Sequence, residues 1–119
     1  MAAKRILIVD DDTELCEELI DSLNSEGYFV DWIQDSIKGE QLIRSGNYDI
    51  ILLDCKMPLL SGLDILKRLK RENIKRRIFL FTGRSHIELA LKEENLSGIV
   101  SGVISKPVRF EDLLDKIKG

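Results

Sequence analysis

The chain has 119 residues, 44% hydrophobic and 33% charged, with a net charge of −3 and a pI near 5.2. That length fits one domain, residues 1–119, able to bury roughly two-thirds of its unfolded surface, and with no apolar run of about 18 residues and no signal-like N-terminus a cytoplasmic address is expected and a membrane span is not. The acidic balance lacks the sequence-independent attraction that basic domains have for nucleic acid, so no direct nucleic-acid partner is expected.

Ile6 to Val9 is an apolar run without alternation, the pattern of a strand covered on both faces. Three carboxylates follow it: Asp10, Asp11 and Asp12. Leu15, Leu19, Ile20 and Leu23 then form one helical stripe, opened by Asp12 or Thr13 as a cap and closed near Gly27, with Cys16 as a small apolar filler. Phe29 to Ile33 carries Asp31 among apolar residues and predicts an edge strand. Ile37, Leu42 and Ile43 predict a shorter helix ending around Gly46. Ile50 to Leu53 repeats the first apolar pattern, with Asp54 alone at its end and Cys55 next to it, a thiol that could be exposed near the site but has no matched base for a nucleophilic role. Leu63, Leu66 and Leu69, after Ser61 and Gly62, predict a third helix, and the basic residues between Lys67 and Arg77 read as a solvated helix face and loop. Ile78 to Phe81 is the next buried strand, followed by Thr82, with His86 a solvated residue at the start of a weaker helix marked by Ile87, Ala90 and Leu91. Val103 and Ile104 mark the last strand, before Lys106 and Pro107, and Phe110, Leu113, Leu114 and Ile117 make a final helix at i, i+3, i+4, i+7.

Strands and helices alternating five times imply right-handed crossovers and an α/β, (βα)5 architecture, a parallel sheet between two helix layers. In such sheets ligands sit outside the carboxyl ends of the strands. The strand ends here carry Asp10, Asp11, Asp54, Thr82 and Lys106. Converging carboxylates repel unless a cation joins them. An all-oxygen set with few carboxylates suits Mg²⁺, with Mn²⁺ able to substitute. Asp54 is then placed to attack a phosphoryl group, while the cation, Lys106 and the Thr82 hydroxyl share the phosphoryl oxygens.

Ile6-Leu-Ile-Val-Asp10-Asp11-Asp12, Leu53-Asp54-Cys-Lys-Met57-Pro58 with Gly62, Phe81-Thr82-Gly83 and Ser105-Lys106-Pro107 together resemble the receiver domain of two-component response regulators, in order and over essentially the whole chain. The resemblance implies a flavodoxin-like doubly wound five-stranded sheet of strand order 2-1-3-4-5. It implies Asp54 as phosphoacceptor, Mg²⁺ held by Asp10, Asp11, Asp54 and the Lys56 backbone carbonyl, and Thr82 with Lys106 as the switch pair. It further implies a histidine kinase or phosphotransfer protein as donor, an output domain or protein target that the sequence does not specify, and a possible homodimer on phosphorylation. Lys56 and Arg84 fall where the family tunes phosphoryl lifetime, so two cations imply a long-lived phosphoaspartate. Val103 stands where family members usually carry a ring that turns inward, which implies a weaker or differently routed switch. Two other readings use the same residues: a haloacid-dehalogenase-type phosphatase built on Asp10 and Asp12, which would need Thr or Val where Glu14 stands, and a receiver-like module that binds a partner without phosphorylation.

Overall fold

A computed structural model describes residues 4–83 and 86–119. Five strands alternate with five helices: β1 (Arg5–Val9), α1 (Thr13–Ser25), β2 (Phe29–Ile33), α2 (Ser36–Ser45), β3 (Ile50–Asp54), α3 (Gly62–Arg71), β4 (Ile78–Thr82), α4 (Ile87–Glu93), β5 (Gly102–Ser105) and α5 (Phe110–Lys118). All strand pairs are parallel and the order is β2-β1-β3-β4-β5. The three uninterrupted apolar strands are the central ones, and the strand carrying Asp31 lies at an edge.

Period-two alternation divides the apolar residues between two cores. Ile6, Ile8, Ile50, Leu52, Phe79 and Phe81 pack with α1 and α5 through Leu19, Leu23, Leu113 and Ile117. Leu7, Val9, Ile51, Leu53, Ile78 and Leu80 pack on the other face with α2, α3 and α4 through Ile43, Ile65, Leu66, Leu69, Ile87 and Leu91. No described helix is long and apolar enough to cross a membrane.

Several expectations change on the helices. Ile37 is 45% exposed, and α2 instead buries Ser36, Gly39, Glu40 and Ile43. In α3 the buried stripe runs through Ile65, Leu66 and Leu69, leaving Leu63 half-buried. Much of the basic stretch is engaged rather than simply solvated. Arg68 lies 2.9 Å from the buried Glu40 carboxylate, Arg76 donates to the Ile43 and Arg44 carbonyls that end α2, and Arg77 donates to the Lys116 and Gly119 carbonyls that end α5. Each supplies the donor or charge that an unsatisfied helix end or a buried carboxylate requires.

Two glycines let helices approach the strands that carry the acidic residues. A Cβ on Gly39 would lie 2.6 Å from a methyl of Val9, and a Cβ on Gly62 would lie 2.5 Å from the Asp54 carbonyl oxygen and 3.0 Å from Cys55 Cα. A valine methyl can rotate away and a strand backbone cannot. Gly62→Ala is therefore expected to lower stability by about 2–4 kcal/mol, well beyond Gly39→Ala. Urea unfolding of the two variants checks the order.

Candidate functional site

The register lines up the carboxyl ends. Val9 pairs with Leu53, so Asp10 is level with Asp54; Asp54 pairs with Phe81, and Thr82 with Ser105. Hydrogen bonds continue past the strands, from Asp10 N–H to the Ile33 carbonyl (3.2 Å), Cys55 N–H to the Phe81 carbonyl (2.9 Å) and Lys106 N–H to the Thr82 carbonyl (2.8 Å). The loops leaving β1, β3 and β5 are thus held to their neighbours where the polar residues begin.

Asp10 is fully buried, Asp54 is 6% exposed and Asp11 is exposed, yet each offers a carboxylate oxygen within 4.8 Å of the others. The Lys106 ammonium stands 3.1 Å from Asp10 Oδ2 and 3.5 Å from Asp54 Oδ1. Asp10 Oδ1 accepts from the Asp12 N–H at 3.0 Å, whereas Oδ2 is buried without a hydrogen bond of good geometry, facing Lys106 as counter-charge. Asp54 Oδ1 accepts a long bond from the Lys56 N–H at 3.4 Å. Burial, with the Asp10 charge adding to it, pushes the Asp54 carboxyl up to about 6 despite the opposing pull of Lys106. Burial works against the Lys106 ammonium, but its close contact with the Asp10 carboxylate and the charges of Asp10, Asp54 and Asp12 outweigh it and hold its pKa above the ordinary value. Three carboxylates against one ammonium leave negative charge in excess, and the donors are all oxygen. That donor set, with one buried Asp10 oxygen lacking an aligned partner, fits a hard divalent cation such as Mg²⁺.

The other singled-out residues fall as follows. Thr82 ends β4 and is 2% exposed. Lys56 is exposed on the loop after β3. Asp12 is the N-cap of α1, its side chain accepting from the Leu15 N–H at 3.1 Å, and so serves the helix. Cys55 is 4% exposed rather than accessible, because the chain after β3 folds back over it. The Cys16 thiol, next to the Asp10 carbonyl, is pushed up to about 12 by burial and then by the charge of Asp10, which makes it an inert filler. His86 is exposed at the start of α4, without a side-chain capping bond. Arg84 lies outside the described residues. Val103 is half-buried against the α2–α4 core and lines an open groove of about 650 Å³ with Glu88, Pro107 and Arg109.

Two contributors to this region were not singled out from the sequence. The Trp32 indole N–H donates to the Asp10 carbonyl at 2.8 Å, fixing the backbone at the end of β1 from the edge strand. Ser36, at the start of α2, bonds the loop that follows Asp54. Strand pairing could have suggested the first; nothing local marks the second, because a serine after Asp35 reads as an ordinary helix start.

A profile of the response regulator receiver domain matches residues 6–118. Among curated proteins, the response regulator MprA of Mycobacterium sp. (strain KMS) is 32% identical over 117 residues, which cover 96% of this chain and 49% of that protein, so the chain spans about half the length of such relatives. A solved CheY-like response regulator receiver domain protein from Methanospirillum hungatei JF-1 aligns with a TM-score of 0.83 at 32% identity, covering 98% of this chain and 91% of that one. The response regulator TrrA of Thermotoga maritima, solved in complex with Mg²⁺-BeF, aligns with a TM-score of 0.81 at 32% identity over 97% of this chain and 96% of its own. With the strand order, the acidic sheet edge and the profile in agreement, the chain belongs to the response regulator receiver domain family.

Proposed function

We propose that this chain is one receiver unit that accepts a phosphoryl group on Asp54 and signals by the resulting change of conformation. The observation that carries this reading is the convergence of Asp10, Asp11 and Asp54 within 4.8 Å, with the Lys106 ammonium 3.1 Å from the first and 3.5 Å from the third. Asp10, Asp11, Asp54 and the Lys56 carbonyl would hold Mg²⁺, or Mn²⁺ in its place, and such an ion, when bound, supplies Lewis-acid neutralisation of phosphoryl charge. The chain's own groups do the rest. An Asp54 carboxylate oxygen forms the new bond to phosphorus as the bond to the donor breaks, and the donor leaves with its electron pair as a carboxylate or a neutral imidazole after protonation. Lys106 follows the charge from Asp54 to a phosphoryl oxygen, and the Thr82 hydroxyl turns toward another. The donor is a histidine kinase or phosphotransfer protein, the receiver of the signal an output domain or protein target, and the address cytoplasmic. TrrA, whose structure holds Mg²⁺-BeF, supports the metal assignment by family likeness.

Incubation with acetyl phosphate and Mg²⁺, read by intact mass, tests the reading. A phosphoryl adduct is expected in the wild type, dependent on Mg²⁺ and absent from Asp54→Ala; an adduct that persists in Asp54→Ala counts against it.

The switch that follows is routed without a ring at position 103. A valine has few rotamers and no ring to swing between inward and outward positions. Phosphorylation is therefore expected to move amide chemical shifts around Thr82 and Lys106 while leaving most of α5 near its starting values. Large shifts throughout β5 and α5 would show that a ring is not needed for the coupling.

A further inference from the structure

Among the described residues only three other than glycine have positive φ: Leu59 (72°), Asn73 (57°) and Asn95 (58°). The asparagines follow α3 and α4, where their type is at home in this region. Leu59 is not: a leucine side chain disfavours positive φ, and at 77% exposure no packing holds it there. The backbone holds it instead. The Leu60 N–H donates to the Pro58 carbonyl at 2.9 Å, closing a three-residue turn around Leu59 of the rare, strained hand.

That turn is clasped from α2. The Ser36 hydroxyl, 2% exposed, donates to the same Pro58 carbonyl at 2.8 Å and accepts from the Leu60 N–H at 3.1 Å. α2 does not need this hydroxyl for its own start, because the Asp35 carboxylate accepts from the Ile37 and Lys38 N–H groups. α2 is itself seated on β1, with Gly39 against Val9. At the other end the loop is fixed by the Gly62 N–H to the Cys55 carbonyl at 2.9 Å. Lys56 lies between the two fixed points, its N–H directed at Asp54 Oδ1.

We propose that Ser36 is a positioning residue for the phosphoryl site: its hydroxyl holds the strained turn at Leu59 and so sets where Lys56 presents its backbone to Asp54 and to a bound divalent cation. The inference rests on the reading of Asp54 given above. Without the hydroxyl, the turn relaxes toward a conformation that leucine favours and the Lys56 backbone moves with it. Replacing Leu59 by glycine removes the reason to relax, because glycine occupies positive φ freely.

Calorimetric titration with Mg²⁺ and the rate of adduct formation from acetyl phosphate, on the same preparations, test this. Ser36→Ala is expected to weaken Mg²⁺ binding and slow the adduct roughly tenfold, the lower end of the range for loss of a partner that orients a ligand. Ser36→Ala combined with Leu59→Gly is expected to return to within about twofold of wild type, and Leu59→Gly alone to stay there, since the clasp is then intact. Binding and rate unchanged in Ser36→Ala would overturn the proposal. So would a double variant that remains as weak as Ser36→Ala, because the hydroxyl would then act other than through the turn. A wild type that neither binds Mg²⁺ nor forms an adduct would overturn the reading of Asp54 itself, and this inference with it.

Discussion

Asp54→Asn is expected to make the metal-free protein more stable by about 2 kcal/mol near pH 7, a rise in Tm of roughly 5–10 °C for a chain of this size. The cause is the environment of the carboxylate. Burial and the neighbouring Asp10 push Asp54 up to about 6, even with Lys106 3.5 Å away, so the ionised form is disfavoured in the folded state. For a carboxyl whose folded value lies above its unfolded value of 3.8, the proton binds more tightly to the folded protein. The penalty is absent below the unfolded value and grows as pH rises through the folded one, so wild type in EDTA should lose stability between about pH 4 and 6 relative to Asp54→Asn. Adding Mg²⁺ should stabilise wild type far more than the variant, since the variant offers one carboxylate fewer. Thermal unfolding in EDTA across this range, with and without Mg²⁺, checks all three statements. A variant less stable than wild type at pH 7 would show that Asp54 is held comfortably as an anion.

Lys106→Met is expected to act in the opposite direction, destabilising the metal-free protein by about 2–3 kcal/mol at pH 7. The ammonium is 3.1 Å from Asp10 Oδ2, an oxygen fully buried and without a hydrogen bond of good geometry, and it also faces Asp54. Removing it leaves two close carboxylates uncompensated. The lysine side chain keeps 23% of its surface in water, which places the expected cost below that of a wholly desolvated pair. Because the damage is largely repulsion, adding Asp54→Asn to Lys106→Met should recover about 1 kcal/mol or more beyond additivity, a coupling that a double-mutant cycle reads directly. Strict additivity would mean that the lysine acts by packing its stem. Adduct formation should fall in Lys106→Met even at temperatures where the variant is fully folded, since the charge that accompanies the phosphoryl group is gone.

What could be read in advance follows from how local each signal is. The central strands were legible because burial on both faces leaves a continuous apolar run at 6–9, 50–53 and 78–81, and the edge strand because Asp31 interrupts its own run. The acidic residues were legible because each stands directly after such a run. The structure brings Asp10, Asp11, Asp54 and Lys106 together and ends β4 on Thr82. α2 was misread at Ile37 because one of its buried residues is Glu40, whose partner Arg68 lies on α3. A polar pair across two helices leaves no trace in the hydrophobic period of either one. Cys55 looked accessible because burial of a loop residue depends on how the following turn folds back, here through Gly62. The same is true of Trp32, whose bond to the Asp10 carbonyl spans 22 residues, and of Ser36, which reaches the loop 22 residues further on. Arg76 and Arg77 looked like a solvated run, since the carbonyls they satisfy end helices far away in the chain.

Phosphoryl capture at one named carboxylate is the claim on which the rest stands. Wild-type protein treated with acetyl phosphate and Mg²⁺, reduced with borohydride and digested for tandem mass spectrometry, carries the trace of any acyl phosphate as an aspartate converted to homoserine. The conversion should appear at Asp54, with none at Asp10 or Asp11, and should vanish when Mg²⁺ is removed by EDTA. Conversion at Asp10 with Asp54 untouched would contradict it and favour the phosphatase-like reading of the first acidic run.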